Sequence, residues 1–268
     1  LPWLVGYEAM PLERLTMLVV PVDDNATLVV PRLEAPRVVD RPELFTLSPW
    51  NETDDPIALV AAALGGRRRV GVGDTTWARF LVELLGARPD LDVRRAVEVT
   101  GPLRAVKDRH EVAMLHAAGA AADAIALELQ TGEIPLVGRT EAQVSADISA
   151  RLVERGHHHT NFAIVAAGEN AASPHHEAGS RVIGSDEVVL CDFGGTMHDE
   201  FGVGYCSDIT RCVWTGEVPA EATEIYGFVH AGHHAAMAGL AAGATAESID
   251  RLARDEIRAG GYGEWFVH

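Results

Sequence analysis

The sequence is poor in positive charge. It contains 22 Lys and Arg against 39 Asp and Glu, which gives a formal net charge of -17 over 268 residues. An acidic surface of this kind argues against binding to nucleic acid or to an anionic membrane, so neither is expected as a partner. The sequence also lacks a run of about 18 apolar residues, and we therefore expect no membrane-spanning helix.

Cysteines and leader features are scarce as well. The three cysteines, Cys191, Cys206 and Cys212, are odd in number. We therefore predict no disulfide framework, expect a reducing cytoplasm, and interpret the cysteines as small buried hydrophobic residues. The chain begins at Leu1 without a basic segment and a cleavage site, so no signal peptide is visible and the true N-terminus is expected upstream.

The first hundred residues alternate strand and helix patterns. β-rich runs over residues 15–20 and 27–30 flank Asp23-Asp24-Asn25, which predicts a hairpin. Two domains are expected for a chain of this length. Because Thr100-Gly101-Pro102 breaks the pattern, we place the boundary there and divide the chain into residues 1–102 and 103–268. The pattern before the boundary also predicts strands over 69–72 and 93–99 and a helix over 77–85.

Two long helices are predicted after the boundary, over residues 108–129 and 140–155. Thr140 and Gln143 fit a capping box at the start of the second helix, and Gly156 is a stop signal at its end. Beyond them the pattern predicts strands over 162–166, 188–192 and 204–214 and helices over 220–240 and 246–259.

Two aspartates occur at predicted strand positions. An apolar strand leads into Asp192, and Asp208 lies on the next predicted strand. Aspartate is uncommon inside strands, and two carboxylates on neighbouring strands can chelate or bridge hard divalent cations. The alternative is that both residues lie at turns and that Asp208 pairs with Arg211. The residues alone leave both interpretations open.

Several motifs together resemble one enzyme family. Residues 192–194 read Asp-Phe-Gly, residues 205–211 read Tyr-Cys-Ser-Asp-Ile-Thr-Arg, and Asn170 precedes Pro174-His175. This pattern resembles the pita-bread metallopeptidases, and within them prolidase (Xaa-Pro dipeptidase) and aminopeptidase P (Xaa-Pro aminopeptidase). Residues 103–111 and 138–141 resemble the entries into the two catalytic helices of that family, and residues 6–21 resemble part of a creatinase-type N-terminal domain.

The resemblance covers nearly the whole chain and implies an α+β fold. Residues 1–102 would be a small α/β creatinase-type N-terminal domain whose start is missing. Residues 103–268 would be an incomplete pita-bread catalytic domain whose C-terminal part is missing. A homodimer is also implied.

The chemistry implied by the resemblance is hydrolysis of Xaa-Pro bonds in proline-containing peptides. Five side chains (two Asp, one His and two Glu) would hold two divalent metal ions about 3.5–4 Å apart, with a bridging hydroxide that attacks the peptide carbonyl. Manganese suits this ligand set best, with cobalt, zinc or iron as alternatives. By position, Asp192 and Asp208 are the aspartate ligands, His175 and His268 face the substrate, and Tyr205 and Thr210 lie beside the ligands.

The sequence departs from the family pattern in two respects. Asp192 and Asp208 are 16 positions apart, more than in the family, so we interpret residues 196–202 as an insertion at a hairpin tip. The remaining His and two Glu ligands are expected beyond residue 268. We therefore expect residues 1–268 alone to bind divalent metal weakly and to lack measurable activity. Robust manganese-dependent hydrolysis of an Xaa-Pro substrate by that fragment would contradict this expectation.

Other functions on the same fold stay open. Creatine amidinohydrolase works without metal and lacks the aspartate pair, whereas methionine aminopeptidase usually lacks an N-terminal domain like residues 1–102. A non-catalytic pita-bread module that binds peptides or proteins would have lost its ligands. No motif separates dipeptidase from aminopeptidase action or indicates the preferred first residue.

Two histidine groups are not interpreted as metal sites. His157-His158-His159 lies between a helix stop and a strand, so a solvated loop is predicted. His233 and His234 are adjacent on a predicted helix and do not share a face.

Overall fold

The computed structural model describes residues 1–10 and 13–267. These residues form two compact units, each drawn from several segments. The first unit comprises Leu1–Glu128, Asp147–Ala163 and Asp192–Ile209, and the second comprises the other described residues. Helices and strands occur in both units, which confirms the predicted α+β class. The boundary near residue 102 stays a prediction.

A three-stranded sheet opens the first unit after a short helix, α1 (Pro2–Val5). β1 (Met17–Val19) runs antiparallel to β2 (Ala26–Pro31), which confirms the predicted hairpin. β3 (Phe45–Trp50), which was not predicted, lies parallel to β2 on its other side. A single 3-10 turn, Ala35–Arg37, lies in the connection between β2 and β3.

The central strand β2 is buried on both faces. Val29 packs on one side, and Leu28 and Val30 pack on the other, because successive strand residues face opposite sides of a sheet. The first face also holds Leu15, Trp50, Ile57, Val60 and Leu84, and the second holds Val5, Tyr7, Val38 and Phe45. One strand therefore organises two apolar cores.

Helices and a parallel strand pair follow. The elements are α2 (Pro56–Leu64), β4 (Arg69–Val72), α3 (Ala78–Ala87), β5 (Asp92–Arg95) and α4 (Val97–Ala105), with β4 parallel to β5. The predicted strand over 93–99 thus ends at Arg95. The predicted break at Thr100-Gly101-Pro102 is wrong, since α4 runs through it. The N–H groups of Val99 and Thr100 both bond to the Ala96 carbonyl at 3.0 Å, so a helical turn has formed before Pro102 is reached.

Both long helices begin with reciprocal capping boxes. At α5 (Arg109–Thr131), the Asp108 and Glu111 side chains each accept the other residue's N–H at 2.8 Å. At α6 (Glu141–Glu154), Gln143 accepts from the Thr140 N–H at 2.9 Å and Thr140 accepts from the Gln143 N–H at 3.2 Å. The predicted Thr140–Gln143 box is confirmed, and both helix starts are fixed locally.

α5 is apolar along much of its length. Within residues 1–10 and 13–267, it is the one helix whose length and composition would allow it to cross a membrane, a test that core helices also pass. Ala118, Ala122, Ile125 and Leu129 are buried and recur at helical spacing on one side. α5 therefore has the pattern of a helix packed against a protein core.

The four-stranded sheet is built around β7 (Val188–His198). Its other strands are β6 (His159–Ala167), β8 (Gly204–Cys206) and β9 (Ile209–Trp214), and β7 pairs with all three. The predicted single strand over 204–214 is therefore wrong: it is two strands, interrupted at Ser207-Asp208. A 3-10 turn at Gly168–Ala172 follows β6.

The second unit ends in a helix pair, α7 (Ala220–Gly239) and α8 (Ala246–Ala259). Both predicted helices are confirmed, over bounds close to those expected. Gly232 allows them to pack closely, because a Cβ there would lie only 3.2 Å from the Ala253 carbonyl oxygen. Thr245 caps α8 by accepting a hydrogen bond from the Ser248 N–H at 3.2 Å.

Candidate metal centre

The hairpin of β7 and β8 carries the two predicted aspartate ligands at its base. Thr196 lies opposite Cys206 in the antiparallel register, and the Ser207 N–H donates to the Gly195 carbonyl at 2.9 Å. Partial burial raises the pKa of the Asp208 carboxyl, and the negative charge of Asp192 raises it further. The structure therefore brings Asp192 and Asp208 close enough for their charges to interact.

This arrangement suits a divalent cation. Two neighbouring carboxylates repel each other, and a bound dication reverses that penalty because oxygen donors are its preferred ligands. Across the described residues, no group of three or more His, Cys, Asp and Glu side chains could hold a metal ion. Asp192 and Asp208 would supply two oxygen-donor side chains to such an ion.

Gly194 sets the position of Asp208. A Cβ at residue 194 would lie 2.0 Å from the Ser207 carbonyl oxygen, a distance that real side chains do not reach, and a tight 3.2 Å from Asp208 Cα. Only glycine fits beside this stretch of backbone. The glycine of the Asp-x-Gly motif therefore allows the chain carrying Asp208 to pack directly against β7.

His157 contacts the stretch Ser207-Asp208, and sequence patterns did not identify it. The prediction of a solvated loop is wrong for this residue, which is 2% exposed, whereas His158 and His159 are exposed. The chain turns after α6, and the His157 N–H and Nδ1 lie 3.0 and 3.1 Å from the Leu152 carbonyl, a group left unpaired by the helix end. Nε2 lies 2.9 Å from Ser207 Oγ.

The tip of the hairpin folds around Asp199, whose side chain is 3% exposed. One carboxylate oxygen accepts from the N–H groups of Phe201 and Val203, both at 2.9 Å. The other accepts from His110 Nε2 at 3.0 Å and from the Tyr205 hydroxyl at 3.4 Å. The predicted insertion is therefore an ordered turn stabilised by its own aspartate.

Two residues predicted to lie beside the ligands occupy different surroundings. Tyr205 is buried, and burial followed by the charge of Asp199 raises the pKa of its phenol. Thr210 lies on β9 and is exposed. Their predicted roles stay predictions.

The cysteines follow the strand geometry. Cys191 is buried on β7, as predicted, but Cys206 and Cys212 are exposed. The expectation of burial is therefore wrong for two of the three residues, because strands that bury one face expose the other.

His175 lies in the second unit, in the turn that follows Pro174. The residue is exposed and has a φ angle of 58°, in the left-handed region that few non-glycine residues adopt. The other predicted substrate-facing histidine, His268, is outside the described residues.

Glu141 anchors the loop that carries His175. This carboxylate is fully buried and accepts hydrogen bonds from the N–H groups of Ala167 (2.8 Å) and Gly179 (3.3 Å), Asn170 Nδ2 (2.9 Å) and His176 Nε2 (2.9 Å). Burial alone would raise the pKa of Glu141, but these donors outweigh it and lower the pKa to about 2. The first residue of α6 thus holds both ends of the loop over residues 167–179.

This network predicts a pH dependence of stability. Because the pKa of Glu141 falls from 4.5 to about 2 on folding, its ionised form stabilises the protein above pH 4.5 and this contribution disappears as the pH approaches 2. The shift corresponds to about 3 kcal/mol. We expect Glu141→Gln to lose stability at pH 7 and to unfold with a shallower pH dependence between pH 5 and 2, measured by urea denaturation. An unchanged pH profile would contradict the assignment.

A cavity of about 560 Å³ also opens within the first unit. Its lining mixes charges of both signs, including Glu8 and Arg104, and reaches Tyr205. Asp192 and Asp208 do not line it. The cavity is therefore separate from the aspartate pair.

Comparison with known proteins places this geometry in a family. Residues 110–268 match metallopeptidase family M24. The chain is 37% identical over 270 residues to the probable dipeptidase PepE of Mycobacterium tuberculosis, covering 99% of this chain and 70% of the relative. It is 33% identical over 288 residues to the Xaa-Pro dipeptidase of Lactobacillus helveticus, covering 99% and 73%.

Solved structures agree. The crystal structure of dipeptidase PepE from Mycobacterium ulcerans superposes with a TM-score of 0.90 at 36% identity, covering all of this chain and 71% of that one. The predicted resemblance and the pita-bread fold are confirmed, and the family implies divalent metal cofactors. The chain belongs to metallopeptidase family M24.

Proposed function

We propose that the protein is a divalent-metal-dependent peptidase that hydrolyses Xaa-Pro bonds. The observation that carries this proposal is the Asp192–Asp208 pair, placed by the Asp-x-Gly motif at the base of the β7–β8 hairpin. The Xaa-Pro dipeptidase of Lactobacillus helveticus, at 33% identity, supports the substrate class. The names of the relatives favour dipeptidase over aminopeptidase action.

In this proposal Asp192 and Asp208 are ligands of a pair of metal ions. Other residues complete the coordination of these ions. When bound, divalent ions activate water near neutral pH and polarise the peptide carbonyl. Manganese suits the oxygen-rich donor set, with cobalt, zinc and iron as alternatives. Tyr205 and Thr210 are proposed to orient the hairpin and strand on either side of Asp208.

His175 is proposed to hydrogen-bond the substrate and to stabilise the oxyanion that develops on its carbonyl. Glu141 holds the surrounding loop through Asn170 and His176, so the turn that carries His175 is fixed from both sides. A non-glycine residue in the left-handed region is costly, and such residues cluster at functional sites. His268 is proposed to contribute from the substrate side as well.

The proposal is tested with the intact gene product and three matched substrates. An Ala-Pro dipeptide, an Ala-Ala dipeptide and an Ala-Pro-Ala tripeptide separate proline selectivity from length selectivity. We expect manganese-dependent release of proline from Ala-Pro and little cleavage of Ala-Ala. Preference for the tripeptide would indicate an aminopeptidase. Absence of Xaa-Pro cleavage with manganese, cobalt, zinc and iron would refute the proposed function.

Two further properties accompany this proposal. Free cysteines at positions 191, 206 and 212 support a reducing cytoplasm as the location. A homodimer is proposed from the family resemblance, and light scattering coupled to size exclusion would test it.

A further inference from the structure

A buried hydrogen-bond bridge lies directly behind the aspartate pair. His157 Nε2 is 2.9 Å from Ser207 Oγ, and the Gly195 N–H donates to the same oxygen at 3.2 Å. Ser207 is 5% exposed and His157 is 2% exposed. The bridge joins the end of α6, the middle of β7 and the interruption between β8 and β9. All of these residues belong to the first unit.

The direction of each hydrogen bond in the bridge follows from donor and acceptor chemistry. The Leu152 carbonyl can only accept, so His157 Nδ1 carries the proton that bonds to it at 3.1 Å. Burial lowers the pKa of His157, which favours the neutral ring. The unprotonated Nε2 is then an acceptor, and the Ser207 hydroxyl must donate to it. The Ser207 oxygen keeps a lone pair for the Gly195 N–H.

Ser207 cannot move without moving Asp208. The two residues are consecutive, and they occupy the interruption between β8 and β9. Gly194 faces the Ser207 carbonyl so closely that a Cβ would lie 2.0 Å from it. The Ser207 N–H also bonds back to the Gly195 carbonyl at 2.9 Å. The position of Asp208 relative to β7 therefore depends on how Ser207 is held.

We propose that His157 is a positioning residue for the metal centre: its neutral ring fixes the Ser207 hydroxyl and thereby aligns Asp208 with Asp192 for metal binding. This inference rests on the metal site of the proposed function. Polar partners behind metal ligands commonly change metal affinity about 10- to 100-fold when removed. In this scheme His157 acts on Asp208 through Ser207.

Two substitutions separate the positioning role from simple support of the fold. The Asn amide can replace Nδ1 as donor to the Leu152 carbonyl, whereas the Gln amide reaches the Nε2 position and can accept from Ser207. We expect His157→Asn to lower manganese affinity about 10- to 100-fold, with a fall in melting temperature no larger than that of His157→Gln, since each variant loses one buried hydrogen bond. We expect His157→Gln to keep more of the affinity, although the Leu152 carbonyl loses one of its two donors and keeps only the His157 backbone N–H.

The experiment measures manganese binding to the metal-depleted intact gene product by titration calorimetry, without substrate. Ser207→Ala should weaken binding as His157→Asn does, and it provides a second variant if His157→Asn fails to fold. His159→Asn changes an exposed histidine two residues away and should bind as the wild type does. Nitrogen NMR of the histidine rings should show His157 protonated at Nδ1 and unprotonated at Nε2.

Wild-type manganese affinity in both His157→Asn and Ser207→Ala would overturn the inference. The inference would also be overturned if the manganese affinities of His157→Asn and His157→Gln fell only in proportion to their melting temperatures. A His157 ring protonated at Nε2 would overturn it as well. Because this readout needs no substrate, a protein that shows the expected binding pattern but cleaves no Xaa-Pro peptide would refute the proposed substrate and support the bridge. If the His157→Asn variant cleaved Xaa-Pro peptides as the wild type does, the proposed substrate would be supported and the role of the bridge refuted.

Discussion

Replacing Asp192 or Asp208 with asparagine is expected to remove metal binding and peptidase activity together. Asparagine keeps the shape of the side chain and removes the charge that balances a divalent cation. Loss of a ligand should weaken manganese binding beyond the about 100-fold loss that follows removal of a residue behind the ligands. Metal content by elemental analysis and Xaa-Pro turnover by the intact gene product check this result.

His175→Ala should behave differently from the aspartate variants. His175 is proposed to donate a hydrogen bond to the oxyanion that develops on the substrate carbonyl. Loss of one such donor lowers turnover about 10²- to 10³-fold. Bound metal should stay close to the wild-type amount. Glu256→Gln, at an exposed position on α8, is the matched carboxylate-to-amide control for the two aspartate variants. It should change neither metal content nor Xaa-Pro turnover. If His175→Ala removed metal as completely as the aspartate variants, the assigned roles would be wrong.

Gly194→Ala is expected to weaken metal binding and peptidase activity although it removes no functional group. The added Cβ would lie 2.0 Å from the Ser207 carbonyl oxygen and 2.9 Å from the Ser207 carbonyl carbon. Because these are backbone atoms on the path to Asp208, the strand must shift and carry the carboxylate with it. We expect manganese affinity to fall at least about 10-fold and stability to fall by about 1–3 kcal/mol.

Gly119→Ala is the control for this glycine substitution. Gly119 lies within α5, and a Cβ there meets no atom within 4 Å. Replacement should raise stability by about 0.5–1 kcal/mol, because alanine loses less conformational freedom than glycine in a helix. Calorimetric melting and manganese titration distinguish the two variants. Wild-type metal affinity in Gly194→Ala would show that Asp208 is not positioned by this contact.

Sequence patterns predicted the parts of the fold that depend on neighbouring residues. The Thr140–Gln143 box, the hairpin around Asp23-Asp24-Asn25 and both C-terminal helices follow from contacts a few positions apart. β3 was missed because its ladder to β2 joins residues 19 positions apart, such as Ala26 and Phe45, across a connection without a strong pattern. Non-local pairing of this kind has no local signature.

The candidate site likewise contains residues that sequence motifs identify and a residue that they do not. Asp192, Asp208 and His175 stand in motifs, so resemblance could identify them. His157 could not be identified, because a buried histidine and a solvated one look alike in a run of three histidines. Its environment depends on Ser207, 50 positions away. The interruption of the strand at Ser207-Asp208 has the same origin, since β-rich residues on both sides favour one continuous strand.

The turn around Asp199 has a consequence for how this hairpin can change in evolution and in engineering. Its backbone hydrogen bond closes within the tip, as the Asp199 N–H donates to the Val203 carbonyl at 3.0 Å. The Asp199 side chain accepts from the N–H groups of Phe201 and Val203 and also ties the tip to His110 on α5. Below it, Thr196 opposite Cys206 already has the register that leads to the aspartates. Residues can therefore be added or exchanged near Glu200, an exposed position, without changing the spacing at the base. The tip is a permissive site for a spectroscopic label or a new binding loop, provided that Asp199 itself is kept.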